Sequence, residues 1–241
     1  MSIAHVRAAT HQNHLLSKLT EEQLQPVLPL LELVETKVQE VLLQQGQPIN
    51  YVYFPCRCAH SCMMYLEDGS AVEVGTIGNE SFTGIEVLLD ATLATQTVVC
   101  QIGGPSLRMD ADDFRGLVRN ASPLTNILRR SGQAYLTQVS QSVACNRLHS
   151  TDMRFARWLL LTHDRVQNDE FELTQEFLAA MLGVHRPSVS VVAGLFQQAG
   201  MIRYSRGRMK ILNRSRLEES TCECYATVRG HFERLLGVPR G

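Results

Sequence analysis

The chain has 241 residues, of which 44% are hydrophobic and 20% charged, a composition typical of folded globular proteins and not of disordered ones. No apolar run approaches the roughly 18 residues that a membrane span needs, and the first residues lack the apolar stretch of a secretory signal. We therefore expect a cytoplasmic protein without membrane contact. The seven cysteines are an odd number, which favours reduced thiols in such a chain.

The net charge of −1 conceals an asymmetry between the two halves of the chain. Residues 1–120 contain 7 Lys and Arg against 14 Asp and Glu, or −7, whereas residues 121–241 contain 16 against 10, or +6. An acidic half joined to a basic half indicates two domains, the second of which faces a polyanion. Chance clustering of solvated charges is the alternative.

The amino-terminal half is predicted to contain short helices and then a β-structure. Residues 14–42 alternate apolar clusters with polar residues, and two prolines divide them into short helices and the start of a strand. From Gln47 onwards, turn signals such as Asp68-Gly69 separate five segments rich in β-branched and aromatic residues: INYVYFP, CMMYLED, AVEVGTIG, TQTVVCQIG and SLRMDAD. Short strands divided by turns predict an antiparallel barrel or roll.

A long helix is predicted next, over SPLTNILRRSGQAYLTQVSQSVACNRL. Its apolar stripe has spacings of seven, four and four and consists of Leu128, Tyr135, Val139 and Val143. Leu136 lies beside this stripe. We expect this narrow seam to form a coiled-coil-like dimer contact. Packing of the stripe on the chain's own roll is the alternative.

The segment LTQEFLAAMLGVHRPSVSVVAGLFQQAGMI carries Pro187 inside otherwise helical sequence. Thr174 is a good N-cap for a first helix, and Gly183 stands where a left-handed residue ends one. Pro187 then falls in the first turn of a second helix, where backbone N–H groups lack helical partners anyway. Two short helices around a tight turn predict a helix-turn-helix, whose second helix can enter the DNA major groove.

A basic hairpin is predicted after the second helix. MIRYSRGRMKIL reads as a strand, a turn at Gly207 and a second strand. Between Thr174 and Arg214, six Lys and Arg stand against the single acid Glu176, a net of +5, which suits phosphate contact. We predict that this hairpin is the wing of a winged helix-turn-helix; a surface hairpin beside helices that only pack is the alternative.

From Leu16 to Leu217 the arrangement resembles the Crp/Fnr superfamily of transcription regulators. YVYFP and LEDGSAVEVGTIGNESFTGIEVLL resemble its cyclic-nucleotide-binding-like β-roll, and LTQEFLAAMLGVHRPSVSVVAGLFQQAGMIRYSRGRMKIL resembles its DNA-binding domain. The resemblance implies an α+β fold, a homodimer joined by the long helix, and a palindromic DNA site read by two recognition helices. Double-stranded DNA is the expected partner, with RNA polymerase a further candidate.

The chain divides accordingly into four predicted parts. These are a sensor β-roll over 1–121, a dimerisation helix over 122–149, a winged helix-turn-helix over 150–217 and a helical carboxy-terminal extension over 218–241.

The roll departs from the phosphate cassette of nucleotide-binding members, which have a Gly-Glu pair and, a few residues later, an Arg. The matching places read Gly84-Ile85 and either Thr95 or Gln96, and Glu86 is one place off. A cyclic phosphate needs a cation or a cluster of donors there. We therefore expect no cyclic-AMP binding and no cofactor, and the candidate residues for an unknown effector are Gly84, Glu86, Thr95 and Gln96.

The recognition helix also departs from the family, because Pro187 and Val191 stand where many members carry a Glu and an Arg that read bases. The side chains left for DNA are Arg186, Ser188, Ser190, His185 and Gln175 around the helix start, and Arg206, Arg208 and Lys210 in the wing. Arginine can bind guanine bidentately, so we predict that Arg186 reads a base and that the wing residues bind phosphates.

Two cysteine groups bear on metal or redox chemistry. Cys56, Cys58 and Cys62 lie near His60, but C-x-C-x₃-C is not a familiar zinc spacing, so we expect buried thiols. For Cys222 and Cys224 in the extension we favour helix packing, with a redox switch left open.

We predict no metal site and no enzyme, because no P-loop, nucleophile elbow or HExxH motif occurs. Two alternatives to a DNA-binding regulator stay open. One is a sensor or scaffold whose helix-turn-helix contacts proteins, and the other is an enzyme with an unrecognised site.

Overall fold

The computed structural model describes residues 3–119 and 122–237. Its amino-terminal half is an antiparallel roll. Its seven strands are β1 (Glu32–Thr36), β2 (Val41–Leu43), β3 (Tyr51–Pro55), β4 (Ala59–Tyr65), β5 (Ala71–Ile77), β6 (Thr97–Ile102) and β7 (Gly104–Asp110). They form two antiparallel sheets with the orders β1-β7-β3 and β2-β6-β4-β5. All five predicted strand segments are strands, which confirms the roll.

Four short helices accompany the strands: α1 (Ile3–Thr10), α2 (Glu21–Leu24), α3 (Ile85–Leu88) and α4 (Ala111–Arg119). The core of the roll centres on the buried rings of Phe54, Phe82 and Phe114, whose centroids lie 5.5 to 6.5 Å apart. The predicted domain boundary between residues 121 and 122 falls partly outside the described residues, since residue 121 is not among them.

The long helix is α5 (Pro123–Leu148), capped by the Ser122 hydroxyl, which accepts a hydrogen bond from the Thr125 N–H at 3.1 Å. Its predicted apolar stripe is divided between two directions. Leu128 and Tyr135 are buried and Val139 is half-buried, all within the chain's own core, whereas Leu136 and Val143 are exposed. For Leu128 and Tyr135 the expectation of a dimer contact is therefore wrong, because a helix laid on a roll must bury one face against it.

The carboxy-terminal half is mainly helical and carries a second small sheet. It consists of α6 (Thr151–Val166), β8 (Glu170–Glu172), α7 (Gln175–Leu182), α8 (Arg186–Gln198), β9 (Ile202–Ser205), β10 (Arg208–Ile211), α9 (Arg214–Ser220) and α10 (Glu223–Leu236). The strand order is β8-β10-β9. Strand β8 lies in VQNDEFE, which reads as a polar connector by composition, but its Glu-Phe-Glu alternation buries Phe171 opposite Met209.

The last helix folds back on the long helix. Helix α10 packs along α5 and buries Tyr225, Val228, Phe232 and Leu236. Among the described residues no single helix is long and apolar enough to cross a membrane, and only the bent pair α7 and α8 meets the length and composition criteria together.

A buried ion pair joins the two halves of the molecule. The Arg165 guanidinium of α6 donates to Glu80 Oε1 of the roll at 2.8 Å and to Gln138 Oε1 of α5 at 2.8 Å. Glu80 and Arg165 are both almost completely buried. The pair therefore fixes the first helix of the carboxy-terminal half against both the roll and the long helix.

Candidate DNA-binding surface and sensor pocket

Helices α7 and α8 meet at the geometry of a helix-turn-helix. The Thr174 hydroxyl caps α7 by accepting from the Phe177 N–H at 3.2 Å, and Gly183 ends the helix at a φ of 58°. Helix α8 then leaves at 104° to α7, within the range of this motif. Because α8 begins at Arg186, Pro187 lies in its first turn, as predicted.

Helix α8 has one buried face and one exposed face. The buried face carries Val189, Val192, Ala193 and Phe196, and the Phe196 ring meets Phe155 of α6 edge-on with centroids 5.2 Å apart. The exposed face carries four of the predicted DNA contacts: His185, Arg186, Ser188 and Ser190. It also carries Val191, for which no DNA contact was predicted and whose exposed fraction is 64%. The Ser190 hydroxyl donates to Gln175 Oε1 at 3.3 Å, so the structure also brings Gln175 to this surface.

The wing presents basic side chains on one face. Arg206 and Gly207 form its turn, with φ of 51° and 74°. The pairing of β9 with β10 sets Arg208 opposite Ser205 and Lys210 opposite Arg203, so these side chains share a face. Arg203 is therefore a basic residue that belongs beside the predicted three.

Acidic side chains of β8 lie beside the basic residues of the wing and reduce its net positive charge. Its register sets Glu172 beside Arg208 and Glu170 beside Lys210, and Lys210 Nζ lies 3.7 Å from Glu170 Oε2. A charge count that begins at Thr174 misses both acids because they precede it in sequence. Arg206 in the turn and Arg203 on the edge strand β9 are thus the cations of the wing that are not paired directly with these carboxylates in the sheet.

A cavity of ≈ 430 Å³ lies between the roll and α5. All four predicted effector residues line it: Gly84, Glu86, Thr95 and Gln96. Glu86 Oε1 accepts from both the N–H and the hydroxyl of Thr95, at 3.3 and 2.9 Å. The Tyr135 hydroxyl donates to Gln96 Oε1 at 2.8 Å. All three predicted polar residues are thus engaged in hydrogen bonds within the protein.

We call this cavity the sensor pocket after the predicted effector residues that line it. Its remaining walls are largely apolar and include Cys62, Ile77, Ile85, Leu88 and Val98. Burial raises the pKa of the Cys62 thiol to about 12, so it is protonated at neutral pH. One cation reaches the pocket, Arg129, which comes from α5 and not from the cassette loop. Leu136 also lines it, so the exposed face of α5 borders the pocket mouth.

Three of the four cysteines of the roll, Cys56, Cys58 and Cys62, lie in separate surroundings. The Cys56 thiol donates to the Ala9 carbonyl at 3.5 Å, Cys58 Sγ lies 3.0 Å from Ser106 Oγ, and Cys62 faces the sensor pocket. His60 Nδ1 contacts Thr83 Oγ1 at 2.8 Å, and burial lowers the pKa of this imidazole to about 3. All three thiols are buried, as predicted.

The comparisons with known proteins agree with this architecture. The family model of the Crp-like helix-turn-helix domain matches residues 153–220. No curated protein sequence matches the chain significantly.

Among solved structures, FixK2 from Bradyrhizobium japonicum is 15% identical with a TM-score of 0.66, covering 80% of this chain and 98% of its own. A Crp/Fnr-family transcriptional regulator from Thermus thermophilus is 21% identical with a TM-score of 0.62, covering 78% and 97%. The cyclic-di-GMP-responsive global regulator CLP from Xanthomonas campestris is 13% identical with a TM-score of 0.62, covering 80% and 99%. Residues 153–220 are thus a Crp-like helix-turn-helix domain, within a chain that has the fold of Crp/Fnr transcription regulators.

Proposed function

We propose that the protein is a homodimeric regulator that binds a palindromic site on double-stranded DNA through α8 and the wing. The carrying observation is the exposed face of α8, where polar and basic side chains stand beside the basic wing. Phosphate contacts from the wing would orient the domain, and α8 would read base edges in the major groove.

The base-reading roles divide between charge and shape. Arg186 in the first turn of α8 offers a bidentate donor to guanine. Val191, one turn further on and exposed, offers an apolar contact to a thymine methyl group. The site should therefore combine a guanine with a neighbouring thymine, unlike sites read by a Glu and an Arg.

The proposed dimer forms along the exposed stripe of α5. Leu136 and Val143 lie seven residues apart, with exposed fractions of 63% and 66%, and the half-buried Val139 lies between them among polar residues. Heptad spacing of apolar residues suits a two-stranded coiled coil. Because Leu136 and Arg129 border the sensor pocket, a partner helix on this stripe would also cover the pocket mouth.

For the sensor pocket we propose a small, mainly apolar effector and no cyclic AMP. The walls are largely apolar, and Glu86 places a carboxyl group where a phosphate would approach. Arg129 is the cation in position to bind a single acidic group of such a ligand.

Two substitutions in α8 and the wing test the DNA proposal. Genomic fragments selected by the purified protein supply the duplex, and fluorescence anisotropy gives the affinity. We expect Arg186→Ala to cost about 1–3 kcal/mol and to relax the preference at one base pair. Arg206→Ala should weaken all sequences alike and reduce the salt slope by about 1. Unchanged affinity and preference in Arg186→Ala would contradict the assigned role.

A further inference from the structure

Four side chains of the types that can bind a metal ion meet where the long helix joins the carboxy-terminal half. We call them the junction cluster: Cys145, His149, Cys222 and Cys224. Cys145 lies in the last turn of α5, His149 caps that helix, and the other two begin α10. One ligand atom from each lies within 4.8 Å of the others. The pairs C-x₃-H and C-x-C are separated by more than seventy residues, so only the fold unites them.

The spacing of these atoms suits a single tetrahedral ion. Zn–S bonds of about 2.3 Å and Zn–N bonds of about 2.0–2.1 Å place two sulfurs roughly 3.8 Å apart, and a sulfur and a nitrogen roughly 3.6 Å apart. Cys145 Sγ and Cys222 Sγ are 3.6 Å apart, and Cys224 Sγ and His149 Nδ1 are 3.4 Å apart. A disulfide needs about 2.05 Å, so the sulfurs are not bonded to one another.

The surroundings of the cluster orient its ligands. His149 points Nδ1 at the sulfurs, and its Nε2 lies 3.3 Å from Glu223 Oε2, the carboxylate–histidine arrangement that fixes the tautomer of a metal ligand. The Gln141 side-chain amide donates to Cys224 Sγ at 3.1 Å, a contact that favours a thiolate. Neither contact is needed to pack three apolar thiols together.

We propose that the junction cluster binds one Zn²⁺ ion as a closed structural site. Three thiols and one imidazole form the Cys₃His ligand set of such sites, and soft sulfur ligands select zinc over magnesium or calcium. Binding replaces three thiol protons, which pass to solvent, with one Zn²⁺ ion. The ion would fasten α10 to the end of α5 and fix the joint at His149, where the chain turns into α6.

Metal content and a cobalt spectrum test the site in the untagged full-length protein, without DNA. After purification under reducing conditions, we expect about one zinc per chain by mass spectrometry. Co²⁺ exchanged for zinc should give a thiolate charge-transfer band and the visible bands of a tetrahedral ion. The DNA-binding proposal can fail without affecting either result, and the reverse is also true.

Variants locate the site. Cys145→Ser and Cys224→Ser should each lower zinc affinity more than about 100-fold, and Glu223→Gln about 10–100-fold. Cys100→Ser, a buried thiol in the roll, is the matched control and should retain full zinc. If a cluster variant fails to fold, the cobalt spectrum of the unmodified protein decides. Absence of the charge-transfer band, zinc far below one per chain after reconstitution, or a Cys145–Cys222 disulfide in zinc-treated protein would overturn the proposal.

Discussion

At the scale of single residues, the side chains proposed to meet DNA differ from those that support them. Arg186 and Val191 are exposed and are not needed for the core, whereas Val189 and Phe196 on the same helix are buried. Substitution on the exposed face should therefore change DNA recognition with little effect on stability. Sequence periodicity separates these two faces of α8, but the acids of β8 beside the wing appear only in the folded chain.

Glu73 on β5 should make stability depend on pH. Burial raises the pKa of this carboxyl group to about 7, although the Ser61 hydroxyl and the cations of Arg157 and Arg165 oppose the shift. An acid whose pKa is higher in the folded state stabilises the fold below its unfolded pKa of 4.5, and this contribution is lost as the pH rises through about 7.

Glu73→Gln removes that titration. Relative to the unmodified protein, we expect the variant to gain roughly 1–3 kcal/mol of unfolding free energy between about pH 5 and about pH 8. Urea denaturation across this range measures the difference. A difference that stays constant with pH would show that Glu73 ionises alike in the folded and unfolded chain.

At the scale of elements, α5 shows what an apolar pattern can and cannot establish. The spacing of its apolar residues correctly predicts a long helix. The short strands and the helix start near Pro187 are also predictable, because the turn residues and the proline that delimit them are neighbours in sequence. Periodicity does not say which partner an apolar residue meets. Tyr135 packs on its own roll, while the adjacent Leu136 is exposed. The junction cluster is likewise not predictable from the sequence, since its two pairs of side chains are distant along the chain.

Leu136→Glu tests the proposed dimer stripe. A charge on each of two facing helices repels its counterpart and removes apolar burial, so we expect monomers at micromolar concentration by light scattering. Leu66→Glu in the turn between β4 and β5 is the control, because Leu66 has an almost equal exposed fraction of 61% and lies off this helix. A dimer that persists in Leu136→Glu would place the interface elsewhere.

At the scale of the whole molecule, the Glu80–Arg165 pair joins the amino-terminal half to the carboxy-terminal half. Glu80→Gln leaves the Arg165 guanidinium buried without its counter-charge, which we expect to cost about 3–5 kcal/mol of unfolding free energy. Glu32→Gln, which breaks an exposed pair with Arg108, should cost about 1 kcal/mol or less. Equal losses of unfolding free energy for the two variants in urea denaturation would show that the Glu80–Arg165 pair does not hold the two halves together.

Binding of α8 and the wing to duplex DNA is the proposal on which the assigned function depends. Its most direct test is the equilibrium affinity of the unmodified protein for a selected genomic duplex across a salt series. With Arg203, Arg206 and Arg208 of two subunits on phosphates, log K should fall linearly with log salt at a slope of about −5. The selected duplex should also bind at least about 10³-fold more tightly than random sequence. No binding by the folded protein at low salt would contradict the claim and favour a helix-turn-helix that contacts proteins.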